Sequence, residues 1–448
     1  GTYYTYDEIT HHNDEIGYGR LNAYKAVCLA GSYLAEPTDI EDDDTWDYNK
    51  SIFYDIAVKT GVTLTIKAEI QFGPEAKLII EPGGTVVVDS GILTNMKCCD
   101  NENISWPGVE VWGNRNASQH TTGAQGKLVM MNEAKIENAV VAVELWKPGD
   151  YNSTGGIIEA ENSTFLNNAC AIHAIYYRNY NPAYPNTEVD YIGTFTNCTF
   201  SVDNEYNGYK TFYKHVDLDR VRGIKFYGCT FSLDHEAENA SEWSLGIAAY
   251  NAGFNILPTC TSQVVPCPLI DSCWFTGFNW AIGSFSTTTI DYPILVNEAH
   301  FNDNVTGIYL SSTDYAVILE NFFEAGYDAP YVGNCGFAYG VGVDIQQSNG
   351  FVVENNKFRK NSLAATGNYA GIRVKNCPSV YDIIYKNELY GLSFGNFAEG
   401  TNRSDKLDDE TGVEYQCNCN SHNAVDFMVQ FIDIDTVGAM IRGWHGNK

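Results

Sequence analysis

One short frame recurs along this chain and restricts what it can fold into. The frame is an apolar residue, two variable positions, a small or polar residue, one variable position, then a large apolar residue. Copies are Met131/Ala134/Ile136, Ala160/Ser163/Phe165, Phe195/Cys198/Phe200, Phe226/Cys229/Phe231, Ile270/Cys273/Phe275, Val296/Ala299/Phe301, Ile318/Asn321/Phe323, Val353/Asn356/Phe358 and Ile384/Asn387/Leu389. Their last members stand 22 to 44 residues apart. Alternation such as Cys198 and Phe200 puts both side chains on one face of a strand. A unit this short cannot bury that face alone, whereas stacked units share one continuous core, so the frame predicts an all-β solenoid. Stacking at about 4.8 Å per strand would make an interior ladder of Phe165, Phe200, Phe231, Phe275, Phe301, Phe323 and Phe358. Beside it would run a thiol column, Cys198, Cys229 and Cys273, that gives way to Asn321, Asn356 and Asn387. Stacked Asn amides can pair up and down such a column. Roughly 390 residues at about 27 per coil give about 14 coils and a rod of about 65 Å.

The ends of the chain read differently. Residues 1–31 contain an expected helix from about Leu21 to Leu29, preceded by Gly17 and Gly19 and closed by Gly31. Residues 32–50 hold a run of acids between Glu36 and Asp47 and have a linker composition. The solenoid pattern occupies 51–448, and Gly61–Asn95 reads as its first narrow coils.

Charge and cysteine usage exclude some functions. The 448 residues carry 56 acids against 27 bases, a formal charge of −29, with 44% hydrophobic content. Such a chain builds a large core, and it repels nucleic acid over most of its surface. No run of 18 apolar residues is present, so no membrane-spanning helix is expected. The 13 cysteines cannot all pair within the chain. Cys260 with Cys267, flanking a Pro-containing loop, is the best local pair, followed by Cys98 or Cys99 with a distant partner.

Two resemblances add to this reading. The coil pattern resembles the right-handed parallel β-helix proteins of the pectate-lyase-like superfamily. Phe72–Gly84 (FGPEAKLIIEPGG) and Trp106–Gly113 (WPGVEVWG) are similar to segments in large secreted proteins of the Bacteroidetes group. The resemblance implies a right-handed parallel β-helix, with a short N-terminal helical segment ahead of it, in an extracellular, secreted or cell-surface bacterial protein. Separately, EIGYGRLNAYKAV near residues 15–27 resembles the C-terminal end of a subtilisin-like serine protease domain. No triad motif accompanies it, and His11 and His12 match none. The expected organisation is therefore a protease remnant at 1–31, an acidic linker at 32–50 and a β-helix at 51–448, all downstream in a longer precursor.

Candidate chemistry is sparse. The segment KHVDLDRVRG places His215, Asp217, Asp219, Arg220 and Arg222 at spacing two, a groove cluster if they share a face. The plain alternative is an exposed loop of mutually paired charges. Tyr176, Tyr177, Tyr180 and Tyr184 form a candidate platform for sugar stacking, with Trp106, Trp112 and Trp146 as further candidates; packing against the solenoid wall is the rival reading. Asp42, Asp43 and Asp44 are calcium candidates, and calcium is the only cofactor the sequence suggests. Cys417, Cys419 and His422 have metal-ligand types, but their spacing also suits a buried strand face. No catalytic residue is assigned. The expected function is a non-catalytic extracellular module: a structural stalk, adhesive or glycan-binding surface, with end-to-end or side-to-side self-association open to it. A polysaccharide lyase or glycoside hydrolase is the first alternative, and a substrate-binding accessory domain of the protease the second. The stalk reading expects no groove where acids and a base converge; the enzyme reading expects one.

Overall fold

The computed structural model describes residues 39–96, 105–206, 208, 210–234, 236–237, 240–260, 262, 267, 269–287, 292–326, 340–364, 367–403, 411–430 and 440–441. The expected helix at 21–29, the protease-like segment and Cys98 and Cys99 lie outside the described residues.

The chain winds through three sheets of 13 strands each. The first sheet runs from Asp44–Trp46 to Gly412–Gln416, the second from Lys50–Ile52 to Cys419–Ser421, and the third from Ile56–Val58 to Val425–Gln430. Neighbouring strands in each sheet come from successive coils and pair in parallel, as Phe195 does with Phe226 and Phe200 with Phe231. The fold is a right-handed parallel β-helix, as the repeat leads one to expect, and no helix occurs among the described residues. Thirteen rungs at about 4.8 Å make a rod of about 58 Å.

The interior ladders form as the frame predicts. Phe165 and Phe200 stack at 4.8 Å and 4°, Phe200 and Phe231 at 4.7 Å and 3°, and Phe231 and Phe275 at 4.6 Å and 3°. The stack continues through Phe301 and Phe323 to Phe358. Cys198, Cys229 and Cys273 are buried beside it, and the Cys229 N–H donates to Cys273 Sγ at 3.1 Å. Further along, Asn321 Nδ2 donates to Asn356 Oδ1 at 2.9 Å and Asn356 Nδ2 to Asn387 Oδ1 at 3.0 Å. The column extends one rung beyond the expected members, because Asn387 Nδ2 donates to Asn418 Oδ1 at 3.0 Å. Each amide also donates to a strand carbonyl, so these buried groups are satisfied.

The corner before this column has its own rule. Asn162, Asn197, Glu298, Glu320, Asn355, Lys386 and Cys417 each precede the inward small or Asn residue, with φ between 47° and 56°. This left-handed bend turns the chain from the first sheet into the second. It also corrects one expectation. Cys417 occupies the outward bend position, and both Cys417 and Cys419 are exposed, so neither packs in the core. Asn418 takes the inward place between them.

Other differences follow from local geometry. Met130, not Met131, points inward. Ile270 is 48% exposed, and Ile256 fills its rung place by pairing with Phe226. An arm causes this: Thr259–Cys260 pairs antiparallel with Ile270–Asp271, and a Cys260–Cys267 disulfide closes it. Finally, the first rung begins inside the stretch read as linker. Trp46 there is 3% exposed, Asp44 accepts from Trp46 Nε1, and Asp43 accepts from the Thr63 N–H. These two acids are thus tied into the first described rungs.

Candidate functional site

Side chains on the outer face of the third sheet stack into columns across rungs that are far apart in sequence. One column runs Glu110, Glu144, His173, Asp217, Ala248, Gly283, Tyr309, Asp344, Arg373 and Phe397, each paired with the next through the sheet register. Charged, small and aromatic stretches alternate along it.

The N-terminal stretch opens into a cleft of about 570 Å³ lined by Glu144, Cys170, His173, Lys210, Tyr213, Lys214 and Asp217, among others. His173 Nδ1 lies 2.7 Å from Glu144 Oε2, and its Nε2 lies 3.8 Å from Asp217 Oδ2. Lys214 Nζ meets Asp217 Oδ2 at 2.6 Å. Trp146 Nε1 donates to Glu144 Oε2 at 2.6 Å, and its ring meets His173 edge-on. Burial pulls the His173 pKa down, but the Glu144 hydrogen bond and the charges of Glu144 and Asp217 outweigh it, and the pKa ends above the ordinary histidine value. The imidazole is thus held between two carboxylates at the wall of a cleft, an arrangement that general acid–base chemistry can use.

The next rungs carry an aromatic platform. Trp280 stacks flat on Tyr309 at 4.6 Å, and Tyr250 stacks on Phe285 at 5.2 Å. Phe285 touches Trp280 at 5.7 Å, and Trp243 meets Trp280 edge-on at 5.8 Å. Lys214 Nζ stands 5.3 Å from the Tyr250 ring, so platform and cleft are continuous. Tyr213, Trp243 and Tyr250 are 53%, 44% and 39% exposed. Beyond the platform, Arg373 bridges Asp344 and Glu399.

The residues singled out in the sequence scatter around this groove. His215 is 1% exposed and lies against Phe212 and Phe278, with Nε2 3.0 Å from the Ser232 carbonyl. His215 occupies the inward corner at the start of the third sheet, the place held by Ala171 and Gly246 in the neighbouring coils. Burial pushes its pKa down to about 4, so it is neutral at ordinary pH. Asp217 faces the cleft. Asp219 sits one column over beside Arg220, whose guanidinium lies 4.4 Å over the Tyr176 ring. Arg222 is elsewhere, on the first sheet, paired with Asp190 at 3.2 Å.

The tyrosines divide as well. Tyr177 is buried and donates to the Ala117 carbonyl at 2.7 Å. Tyr184 stands 68% exposed on the hairpin of Asn179–Asn181 and Tyr184–Val189, with Tyr180 half-buried on the other arm. Tyr292 pins that hairpin by donating to Glu188 and accepting from Arg178. Trp106 is buried, stacked on Phe72 at 4.4 Å. Asp42 is exposed, while Asp43 accepts from the Thr63 N–H and Asp44 from the Thr45 N–H and the Trp46 indole. His422 packs beside Tyr390. Among the described residues, no group of three or more His, Cys, Asp or Glu is arranged to hold a metal ion.

No protein-family profile matches the chain, and no curated protein matches it in sequence. Solved structures do. A variant of the periplasmic alginate epimerase AlgG is similar at 11% identity and a TM-score of 0.47, over 82% of this chain and 77% of that chain. Tailspike protein 3 of bacteriophage CBA120 is similar at 11% identity and a TM-score of 0.34, over 97% of this chain and 62% of that one. The surface protein and adhesin PfbA of Streptococcus pneumoniae follows at 11% identity and a TM-score of 0.29, over 93% and 97%. These likenesses concern the fold.

Glu144, His173, Lys214 and the platform were not among the residues singled out. Glu144 and His173 are 29 positions apart in sequence, and the aromatic members sit in ordinary strand segments such as SLGIAAY and NWAIGSF. The available signal was an outward position on the strand after the second bend, repeated in every coil.

Proposed function

We propose that this β-helix is an extracellular or cell-envelope module that binds a glycan along the outer face of its third sheet. The aromatic platform carries the reading: partly exposed rings held rigid by stacking present an apolar surface to sugar C–H groups at little entropic cost. The Cys260–Cys267 disulfide supports an oxidising compartment. An attachment to an upstream subtilisin-like protease rests on the sequence near residues 15–27 alone, and the accessory-domain reading with it.

Binding is tested by a glycan array, followed by titration calorimetry on Trp243→Ala and Trp280→Ala. Each substitution should weaken a saccharide hit by about 1–2 kcal/mol, roughly tenfold, with the fold intact by circular dichroism. An array with no saccharide hit sinks the reading.

A second reading is favoured by the convergence of Glu144, His173, Asp217 and Lys214 in one cleft beside the platform. A stalk has no use for such a convergence, whereas a glycan-modifying enzyme needs it. In that reading His173 moves a proton at the sugar and Glu144 orients it. His173→Ala should abolish release of reducing or unsaturated ends from the bound glycan while leaving binding within a few fold. If wild-type protein releases none from any glycan it binds, the module is non-catalytic.

A further inference from the structure

Resting on the glycan reading, we infer that the groove takes an uncharged chain lying along the helix axis and excludes polyanionic chains. The argument is electrostatic compensation along the groove. Lys77 meets Glu110 at 2.7 Å, His173 meets Glu144 at 2.7 Å, and Lys214 meets Asp217 at 2.6 Å. At the other end Arg373 meets Asp344 at 3.1 Å, and Lys375 meets Glu399 at 3.4 Å. The cations a uronate or sulfate would seek are held by carboxylates of the same face, and Arg373 is claimed by two of them.

A polyanion would have to break these pairs and leave the displaced carboxylates next to its own charge. It would also approach a chain whose formal charge is −29. A neutral chain meets none of these costs. Its hydroxyls can donate to the outward carboxylate oxygens and accept from Lys and Arg without separating the pairs. Between the charged ends, the platform offers uncharged aromatic surface, with Ala248 and Gly283 as the small residues of the column. A chain lying along the axis crosses a rung about every 4.8 Å and so meets acid–base cleft, ring platform and Arg373 clamp in turn. Lys210 at the cleft rim is one cation outside these pairings, and the test includes it.

The experiment is affinity electrophoresis of the whole chain through gels holding soluble neutral polymers (a glucan, a xylan, a mannan) or anionic ones (polygalacturonate, alginate, a sulfated glycan). Runs are made at about 0.15 M and about 1 M salt. The expected result is retardation by at least one neutral polymer, unchanged by salt, and none by the anionic set. The Glu144→Gln/Asp217→Asn double variant releases His173 and Lys214. With its fold verified by circular dichroism, it should gain salt-sensitive retardation by an anionic polymer. Retardation of the wild type by anionic polymers alone, removed by salt or by Lys210→Gln, overturns the inference and leaves the glycan reading standing. Absence of retardation by every polymer overturns both.

Discussion

At the residue scale, Asp382 bears an electrostatic cost. It is fully buried; the Gly350 N–H donates to Oδ1, and Oδ2 has no hydrogen-bond partner among the described residues. Burial raises its pKa from 3.8 to about 7, against the lowering effect of the Gly350 hydrogen bond, and the charge of Asp314 adds to the rise. The folded state therefore holds its proton more tightly than the unfolded state does. Stability is unpenalised below the unfolded pKa and falls as pH rises from about 4 to about 7. Asp382→Asn removes that penalty, offset by an unpaired amide N–H of about 1–3 kcal/mol. Its melting temperature should exceed wild type at pH 8 and fall level with or below it at pH 4; equal shifts at both pH values contradict the assignment. His215 and His173 show how little one residue's sequence neighbourhood reveals of its place. Both lie in apolar-rich strands, yet a corner position sends one into the core at a pKa of about 4, while carboxylates from neighbouring rungs raise the other.

At the element scale, stability resides in the ladders and corners. Phe231 contacts Phe200 and Phe275 face to face, so Phe231→Ala should cost roughly 3–5 kcal/mol, read from denaturation midpoints. Asn356→Leu keeps the volume but strips the acceptor from Asn321 N and one of the two acceptors from Asn321 Nδ2, while Asn387 Oδ1 keeps the Asn356 N–H as donor. It should cost about 1–3 kcal/mol for each group left unpaired, more than an Asn-to-Leu change on the surface. Gly108→Ala should prevent folding of the early rungs, because its φ is 112° and a Cβ would stand 1.7 Å from the Val141 carbonyl oxygen; limited proteolysis would show it. These interior elements were legible because a rung repeats its inward residues at fixed offsets from the bend. The groove was not, because its outward column repeats no residue type: Glu144, His173, Asp217, Ala248 and Gly283 follow one another through the register, so no recurring frame marks them.

At the scale of the whole molecule, the rung is the unit of construction. The coil between Phe301 and Phe323 is short, with Ala299 and Asn321 22 positions apart. Removing residues 296–317 joins Leu295 to Ile318 in register and should give a shorter solenoid with an unchanged β-type circular dichroism spectrum. Removing only the first half of that segment should destroy cooperative melting, because the coil would lose the strand His300–Asn304 that joins its neighbours in the second sheet. The same modularity creates a hazard during folding. Seven phenylalanines in an unbroken stack look alike to an incoming coil, which could thread one floor too high or too low with little loss of ring contact. The neighbouring column does not look alike from floor to floor: alanine, serine and thiols give way to amides that need an amide below them. A misthreaded coil would set Asn321 against Cys273, or Asn356 against Ala299, where Asn356 Oδ1 loses the side-chain amide that donates to it. That column therefore works as a floor number, and the chain uses it to reject wrong stackings that its aromatic spine alone would accept.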